Sequence, residues 1–335
     1  MRKELLLFVL LTAAFGIVFY FFPAAADAIY AREFFPLFSK VSRWLSSSTS
    51  VPLIVPLVLL LPGALFLLIA RSKNIWSFCK NVLLLVGVLA SLFLWSWGFF
   101  YFTPGLHQRE KAPDVSAVQL AEWGKKIAST IERPQAIEQV DHAHIAQWVG
   151  GFLGENNRAF SPIETARCKA FDDGYFLKKI GIGGIYMPFT SEAYTTSHQP
   201  FFTLSFVQAH ELSHAFGISN EGEADYVAYR ALMRSANAQA KYAAQLELLR
   251  SIRSILKSSN DSLWQEVVQA SPFEVNVDLL YIRFQHALHP EFFKGLGSEI
   301  NHHYLQAMGV RGGITSYDEM VNWIYEEEVR NVASY

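Results

Sequence analysis

Apolar residues follow two regimes along this chain. Up to about residue 103 they come in long uncharged runs; beyond it they recur at helical spacing among charged and polar residues. The first run, Leu5 to Phe22, is eighteen residues without a charge. Val51 to Ala70 is a second, of twenty, and Val82 to Phe102 a third that closes on Trp95, Trp97, Phe99, Phe100, Tyr101 and Phe102. A bilayer core about 30 Å thick takes roughly 20 helical residues to cross, so the pattern predicts three transmembrane helices rather than buried core helices. Pro56 and Pro62 predict a kink in the second, tolerated where neighbouring helices satisfy the freed carbonyls. Between the first two runs, Ile29, Phe34, Phe35, Leu37, Phe38, Val41 and Trp44 space out an amphipathic helix. It suits either the membrane interface or a packed position against the soluble part.

Thr103-Pro104-Gly105 is a breaker cluster. It divides a membrane region, 1–103, from a soluble domain, 104–335. Helical periodicity covers Val115–Ile131 and Ala136–Leu153, and Ser161-Pro162-Ile163-Glu164 reads as a helix start with proline in the first turn. Ile180 to Thr196, rich in glycine, β-branched and aromatic residues, predicts one or two short strands, and Pro188 confines such a strand to a sheet edge. Helix returns from Asn220 to about Lys257, then at Val275–Leu288 and Tyr317–Val329, with a loop at Gly309-Val310-Arg311-Gly312-Gly313 between those two. The expected fold class is mainly α: N-terminal transmembrane helices, then an α-rich α+β domain with a small edge-strand element.

Composition sharpens the division. Of 335 residues 51% are hydrophobic and 17% charged, against about a quarter charged in ordinary soluble domains. Residues 1–103 hold eight Lys/Arg and three Asp/Glu, leaving 20 basic and 27 acidic residues and all ten histidines in 104–335. That balance excludes a basic nucleic-acid binder, and the apolar content excludes disorder. Two cysteines, Cys79 and Cys168, make neither a disulfide framework nor a cysteine-rich zinc module. Arg2 and Lys3 before the first run, and Arg71, Lys73 and Lys80 between the second and third, predict cytoplasmic loops. The loop 23–50 carries Arg32, Lys40 and Arg43, but also Asp27 and Glu33. The soluble domain is thus expected outside the plasma membrane of a multi-pass protein. Ala24-Ala25-Ala26-Asp27-Ala28 also resembles a signal cleavage site, which would leave the domain on the same side.

One constellation carries chemistry. Residues 203–217 read Thr-Leu-Ser-Phe-Val-Gln-Ala-His-Glu-Leu-Ser-His-Ala-Phe-Gly, containing His-Glu-x-x-His. On a helix His210 and His214, four apart, share a face and can converge on one ion, while Glu211 is near enough to reach a water there. Thr203 or Ser205 is expected to cap the helix, and Gly217 to end it in a left-handed conformation. Catalytic zinc keeps three protein ligands. Two glutamates follow. At about 100° per residue, Ala224, Val227, Ala228, Ala231 and Leu232 define a buried face on or beside which Glu221 and Asp225 fall. Glu223 falls on the flank near Arg230 and Arg234, and with Asn220 forms a capping-box pattern. Glu221 is therefore the expected third ligand and Glu223 the alternative. Asp225 suits a partner for the outer N–H of a ligating imidazole, or a solvated helix charge.

His-Glu-x-x-His followed by Glu-x-x-x-Asp resembles the gluzincin zinc metallopeptidases. The resemblance implies a zincin-like domain, Glu221 as ligand and Asp225 as support for a zinc-bound histidine. The whole chain also resembles a bacterial membrane family known as domain of unknown function 3810. The likeness lies in the hydrophobic N-terminal segments, Trp97-Gly98, Tyr186 through Ala193, the zinc motif with Glu221 to Asp225, and Gly312 to Tyr317. It implies a zinc peptidase and no particular substrate. A metzincin pattern, His-Glu-x-x-His-x-x-Gly, would put the third ligand at Asn220, whose amide is a poor zinc ligand.

These readings converge on a membrane-anchored zinc peptidase acting on a peptide or protein, with the lipid bilayer as its other partner. His210, His214 and Glu221 would hold the zinc and Glu211 would act as general base. Tyr186, His302, His303 and Tyr304 are candidate donors to the oxyanion. The edge strand before the zinc helix could pair with an extended substrate. A zinc-stabilised, non-catalytic scaffold or receptor domain is the competing expectation, but a structural site has no need of Glu211. An intramembrane protease is disfavoured, since 203–216 is too short and polar to span. Asp141-His142-Ala143-His144 reads as solvated surface, because residues two apart do not share a helical face. Cys168 reads as a buried apolar residue.

Overall fold

The structure, a computed structural model, describes residues 2–47, 49, 52–53, 56, 60, 62–63, 66–67, 70, 72–107, 114–136, 140–172, 175–179, 181–290, 299, 303 and 319–330. These residues are mainly helical, with few strands. They form two compact units. Met1–Pro104, Phe160–Ala166 and Tyr186–Glu192 make up the first; Gly105–Ala159, Arg167–Ile185 and Ala193–Tyr335 make up the second.

In the first unit α1 (Arg2–Phe21) follows the first apolar run. Turns of wide helix, Ala26–Phe34, lead into α2 (Phe35–Ser47). Their inner face buries Tyr30 and Phe35, and their outer face leaves Leu37, Val41 and Trp44 exposed. The third run is displaced from its expected span. Its helix, α3 (Ile75–Ser96), starts seven residues earlier because the Asn74 side chain caps it, accepting the Ser77 N–H at 2.8 Å. It also stops short, and Gly98–Phe102 turns as a tight 3-10 helix. A Cβ at Gly98 would lie 2.7 Å from the Phe93 ring, so only glycine makes this turn without displacing that ring. Phe99, Phe100 and Tyr101 are buried, Phe99 and Phe100 in ring contact with Tyr30. The run's aromatic end is thus a packed cluster rather than the end of a span. α1 and α3 pack side by side, with the Gly87 position against Val9 and the Trp95 indole donating to Thr12 Oγ1 at 3.1 Å. By length and composition both Lys3–Phe21 and Ile75–Ser96 are apolar enough to cross a membrane, and only 11% of each is buried. The second apolar run lies for the most part outside the described residues.

The second unit opens with α4 (Ala117–Thr130), begun by a full capping box between Ser116 and Gln119. α5 (His142–Glu155) starts six residues later than its periodicity predicts, because Asp141 caps it by accepting the Ala143 N–H at 2.9 Å. Asp141 and His144 are exposed there. Ser161-Pro162 does not start a helix; it leads into three residues of 3-10 turn, with Pro162 outside the turn as its cap. Three strands follow: β1 (Cys168–Phe171), β2 (Gly184–Met187) and β3 (Glu192–Thr196), in sheet order β1-β3-β2. β1 runs parallel to β3, with Cys168 opposite Ala193 and Phe171 opposite Thr196. β2 is an edge, and Pro188 falls in the turn beyond it.

Then come α6 (Phe201–Ala215), α7 (Glu221–Arg234), α8 (Ala238–Ser259), α9 (Asp261–Ala270) and α10 (Phe273–Leu288), with α11 (Glu319–Tyr325) near the end. The single helix expected to Lys257 is two, since Asn237 caps α8 through the Ala240 N–H. α6 packs against α5, α7 and α8. Leu212, Phe216, Val227, Leu246 and Leu249 are buried on these helices. Apolar burial of that kind, at about 25 cal/mol per Å², holds α6 and α7 in place.

Candidate metal centre

α6 begins at Phe201, capped by Pro200 with no side-chain bond. Neither Thr203 nor Ser205 caps it; the Thr203 hydroxyl donates back to the Pro200 carbonyl at 3.0 Å. The earlier start puts His-Glu-x-x-His in the last two turns. Gly217, at φ 103°, then closes the helix in the left-handed region. The Ile218 N–H donates to Ser213 O at 3.1 Å and the Gly217 N–H to His214 O at 3.0 Å, the paired bonds of a Schellman ending. This turn brings the Ile218 carbonyl back to His214, whose Nδ1–H donates to it at 2.7 Å. His210 Nδ1–H donates to Asp225 Oδ1 at 2.6 Å. Asp225, in the second turn of α7, thus stands behind the His210 ring.

With both Nδ1 atoms engaged outward, the two rings turn their Nε2 atoms inward. These two atoms lie 3.0 Å apart. Glu221 Oε2, on the first residue of α7, is 3.2 Å from one and 3.3 Å from the other. Three electron-rich atoms at such spacing repel one another unless a cation or a proton lies among them. Donors about 2.0–2.1 Å from a tetrahedral zinc stand roughly 3.3–3.4 Å apart, so the triangle fits such an ion closely. Among the described residues these three form a group with all ligand atoms within 4.8 Å of one another. Burial pushes the Glu221 carboxyl up, but the two imidazoles outweigh it and hold it well below its usual range. His210 and Glu221 keep 14% and 16% of their side-chain surface exposed, against 8% for His214. His214 is thus the most enclosed of the three.

Glu211 is buried and outside the triangle. Burial pushes its carboxyl up to about 7, against the pull of His210 and His214. It lies flat against β2: a Cβ on Gly184 would come within 2.8 Å of its Cγ and Oε1. Glycine in a strand marks just such a close approach, and the Gly183-Gly184 pair before Ile185 was the available signal for this missed residue. Cys168 is buried on β1, its thiol pushed up by burial and then by the Glu211 charge, in keeping with an inert apolar role.

Glu223 does not join the triangle. The helical wheel puts it on the flank near Arg230 and Arg234, beside the buried face, yet it is only 4% exposed, because α7 is buried almost all round from Gly222 to Tyr229. Only half of the capping box forms: Asn220 accepts the Glu223 N–H at 2.8 Å, while the Glu223 carboxylate accepts the His107 N–H at 2.8 Å. Asn220 is spent as a cap, as the poor ligand quality of its amide anticipates. Of the candidate oxyanion donors, Tyr186 folds within the first unit against Trp97, and His303 is exposed. His302 and Tyr304 lie outside the described residues.

No curated protein and no solved structure matches the chain. The model of a family described as protein of unknown function, DUF3810, matches residues 30–325. With nearly its whole length covered, the chain belongs to the DUF3810 family.

Proposed function

We propose that the chain is a membrane-anchored, zinc-dependent peptidase, with its catalytic unit outside the cytoplasm. The observation that carries this reading is the triangle of His210 Nε2, His214 Nε2 and Glu221 Oε2, with Glu211 beside it but not of it. A zinc ion held there would polarise the substrate carbonyl and lower the pKa of a water towards about 7. Glu211 takes the proton of the attacking water and passes it to the leaving amine. Burial, which pushes its carboxyl up, suits a group that must both accept and return a proton. Asp225 and the Ile218 carbonyl hold the imidazoles in the tautomer that leaves Nε2 free to bind. The small exposure of α1 and α3 to protein neighbours supports their role as anchors, since a soluble core helix is mostly buried.

The test is hydrolysis of a broad peptide library by the purified full-length protein in detergent. Cleavage is expected with zinc, lost on chelation and restored by zinc. Absence of cleavage from zinc-loaded protein would remove the peptidase reading. Gly184→Ala offers a finer check. The added methyl would lie 2.8 Å from the Glu211 side chain and 2.9 Å from the Tyr194 carbonyl, so Glu211 must move against β2 or β2 against β3, and either shift, of about 1 Å, can cost roughly 100-fold in rate. Turnover should fall by about that factor while bound zinc, measured by elemental analysis, stays at the wild-type level.

A further inference from the structure

Glu223 is a buried carboxylate that the chemistry above does not use. At the third position of α7 such a side chain ordinarily reaches back to the N–H of the capping residue. Here it turns away, accepting the His107 N–H through Oε1 and standing 3.6 Å from His107 Nδ1, an atom without a hydrogen-bond partner among the described residues. Gly105 makes room for it, since a Cβ there would lie 2.5 and 2.7 Å from the two carboxylate oxygens. The His107 ring is itself pinned. It stacks face to face on Trp323 of α11, with centroids 3.9 Å apart and planes 3° from parallel, and meets Tyr226 edge-on at 4.7 Å. The Tyr226 hydroxyl donates to Glu327 at 2.5 Å and the Tyr229 hydroxyl to Glu328 at 3.1 Å.

Two pieces of chain more than two hundred residues apart, around 105–107 and 323–328, therefore grip α7 through Glu223, Tyr226 and Tyr229. Glu221 shares the first helical turn with Glu223. That turn is where a helix frays, because its N–H groups have no acceptor within the helix. A small rotation there would carry Glu221 Oε2 away from the two Nε2 atoms. We infer that Glu223, seated on Gly105–His107, is a positioning residue that fixes the first turn of α7 so that Glu221 meets His210 and His214. The inference rests on the metal-centre reading proposed above.

Zinc affinity of the full-length protein, read by competition with a chelator of known strength, tests it alongside the melting temperature of the metal-free forms. Glu223→Ala and Gly105→Ala should each weaken zinc binding about 10–100-fold, the usual effect of losing support behind a ligand. Glu223→Gln keeps an acceptor oxygen for the His107 N–H and should restore affinity close to wild type. A Gln variant as weak as the Ala variant would mean that the charge itself meets the metal, overturning the positioning role. So would a Glu223→Ala protein with a lower melting point but unchanged affinity, which marks a merely structural residue. Should Glu223→Ala fail to fold, Gly105→Ala and Trp323→Leu read the same clasp from its other sides, and unchanged affinity in both overturns it. A wild type that binds no zinc fails at the metal centre itself, a result visible before any variant is made.

Discussion

Glu211→Gln should abolish peptide hydrolysis and leave zinc binding untouched. The amide is nearly the size and shape of the carboxyl, so it fits the same slot against Gly184, where the carboxylate already lies at contact distance. It cannot take a proton from water. Loss of a positioned general base costs roughly 10²–10⁴ in rate, or about 3–5 kcal/mol of barrier. The proposed ligands are His210, His214 and Glu221, none of which is altered, so zinc per chain should not change. Stability should not fall either. Glu211 is a buried carboxyl whose charged form is penalised by burial, and a neutral side chain of equal volume avoids that penalty. The expected variant is thus inert, zinc-loaded and at least as heat-resistant as wild type. If wild type and Glu211→Gln are equally inactive across the library while both hold zinc, the domain is a zinc-stabilised scaffold or receptor instead.

The parts of this centre that were legible in the sequence are those set by one helix or by two adjacent ones. Four-residue spacing puts His210 and His214 on one face wherever the helix begins, so the mistaken cap at Thr203 or Ser205 did no harm to the pairing. Glu221 and Asp225 were readable for the same reason: they share a stripe of α7, and α7 follows α6 after five residues. Gly217 was readable because few residues but glycine adopt its backbone angle. What the sequence hid depends on distant partners. The wheel put Glu223 on the flank of the Arg230 and Arg234 positions, since nothing local reveals that His107, 116 residues earlier, meets that flank. β1 escaped notice because four residues, Cys-Lys-Ala-Phe, carry little strand signal of their own. They extend only against β3, some 25 residues on. The third apolar run misled for a related reason. Hydrophobic content does not distinguish lipid-facing residues from Phe99 and Phe100, which are buried against Tyr30.

Zinc should raise the stability of the wild type sharply and that of Glu221→Ala or His214→Ala hardly at all. An ion that binds only the folded chain stabilises it by RT ln(1 + [L]/Kd), about 4 kcal/mol at a thousandfold excess over Kd. For a soluble unit of this size each kcal/mol moves the melting point by roughly 2–4 °C, so a shift on the order of 10 °C is expected. Removing Glu221 takes away the carboxylate, and with it the negative charge that offsets the ion's own. Removing His214 also frees the Ile218 carbonyl of its partner. Either variant should lose bound zinc, hydrolysis and the thermal response together. Asp225→Asn belongs between these extremes. Its amide can still accept from His210 Nδ1–H but no longer offers a full negative charge, and weakening behind a ligand usually costs 10–100-fold in affinity. Its melting curve should therefore respond to zinc, but only at concentrations raised by that factor. A thermal response to zinc as large in Glu221→Ala as in the wild type would place the ion elsewhere in the molecule, because no other geometry of His210 and His214 alone supplies three donors.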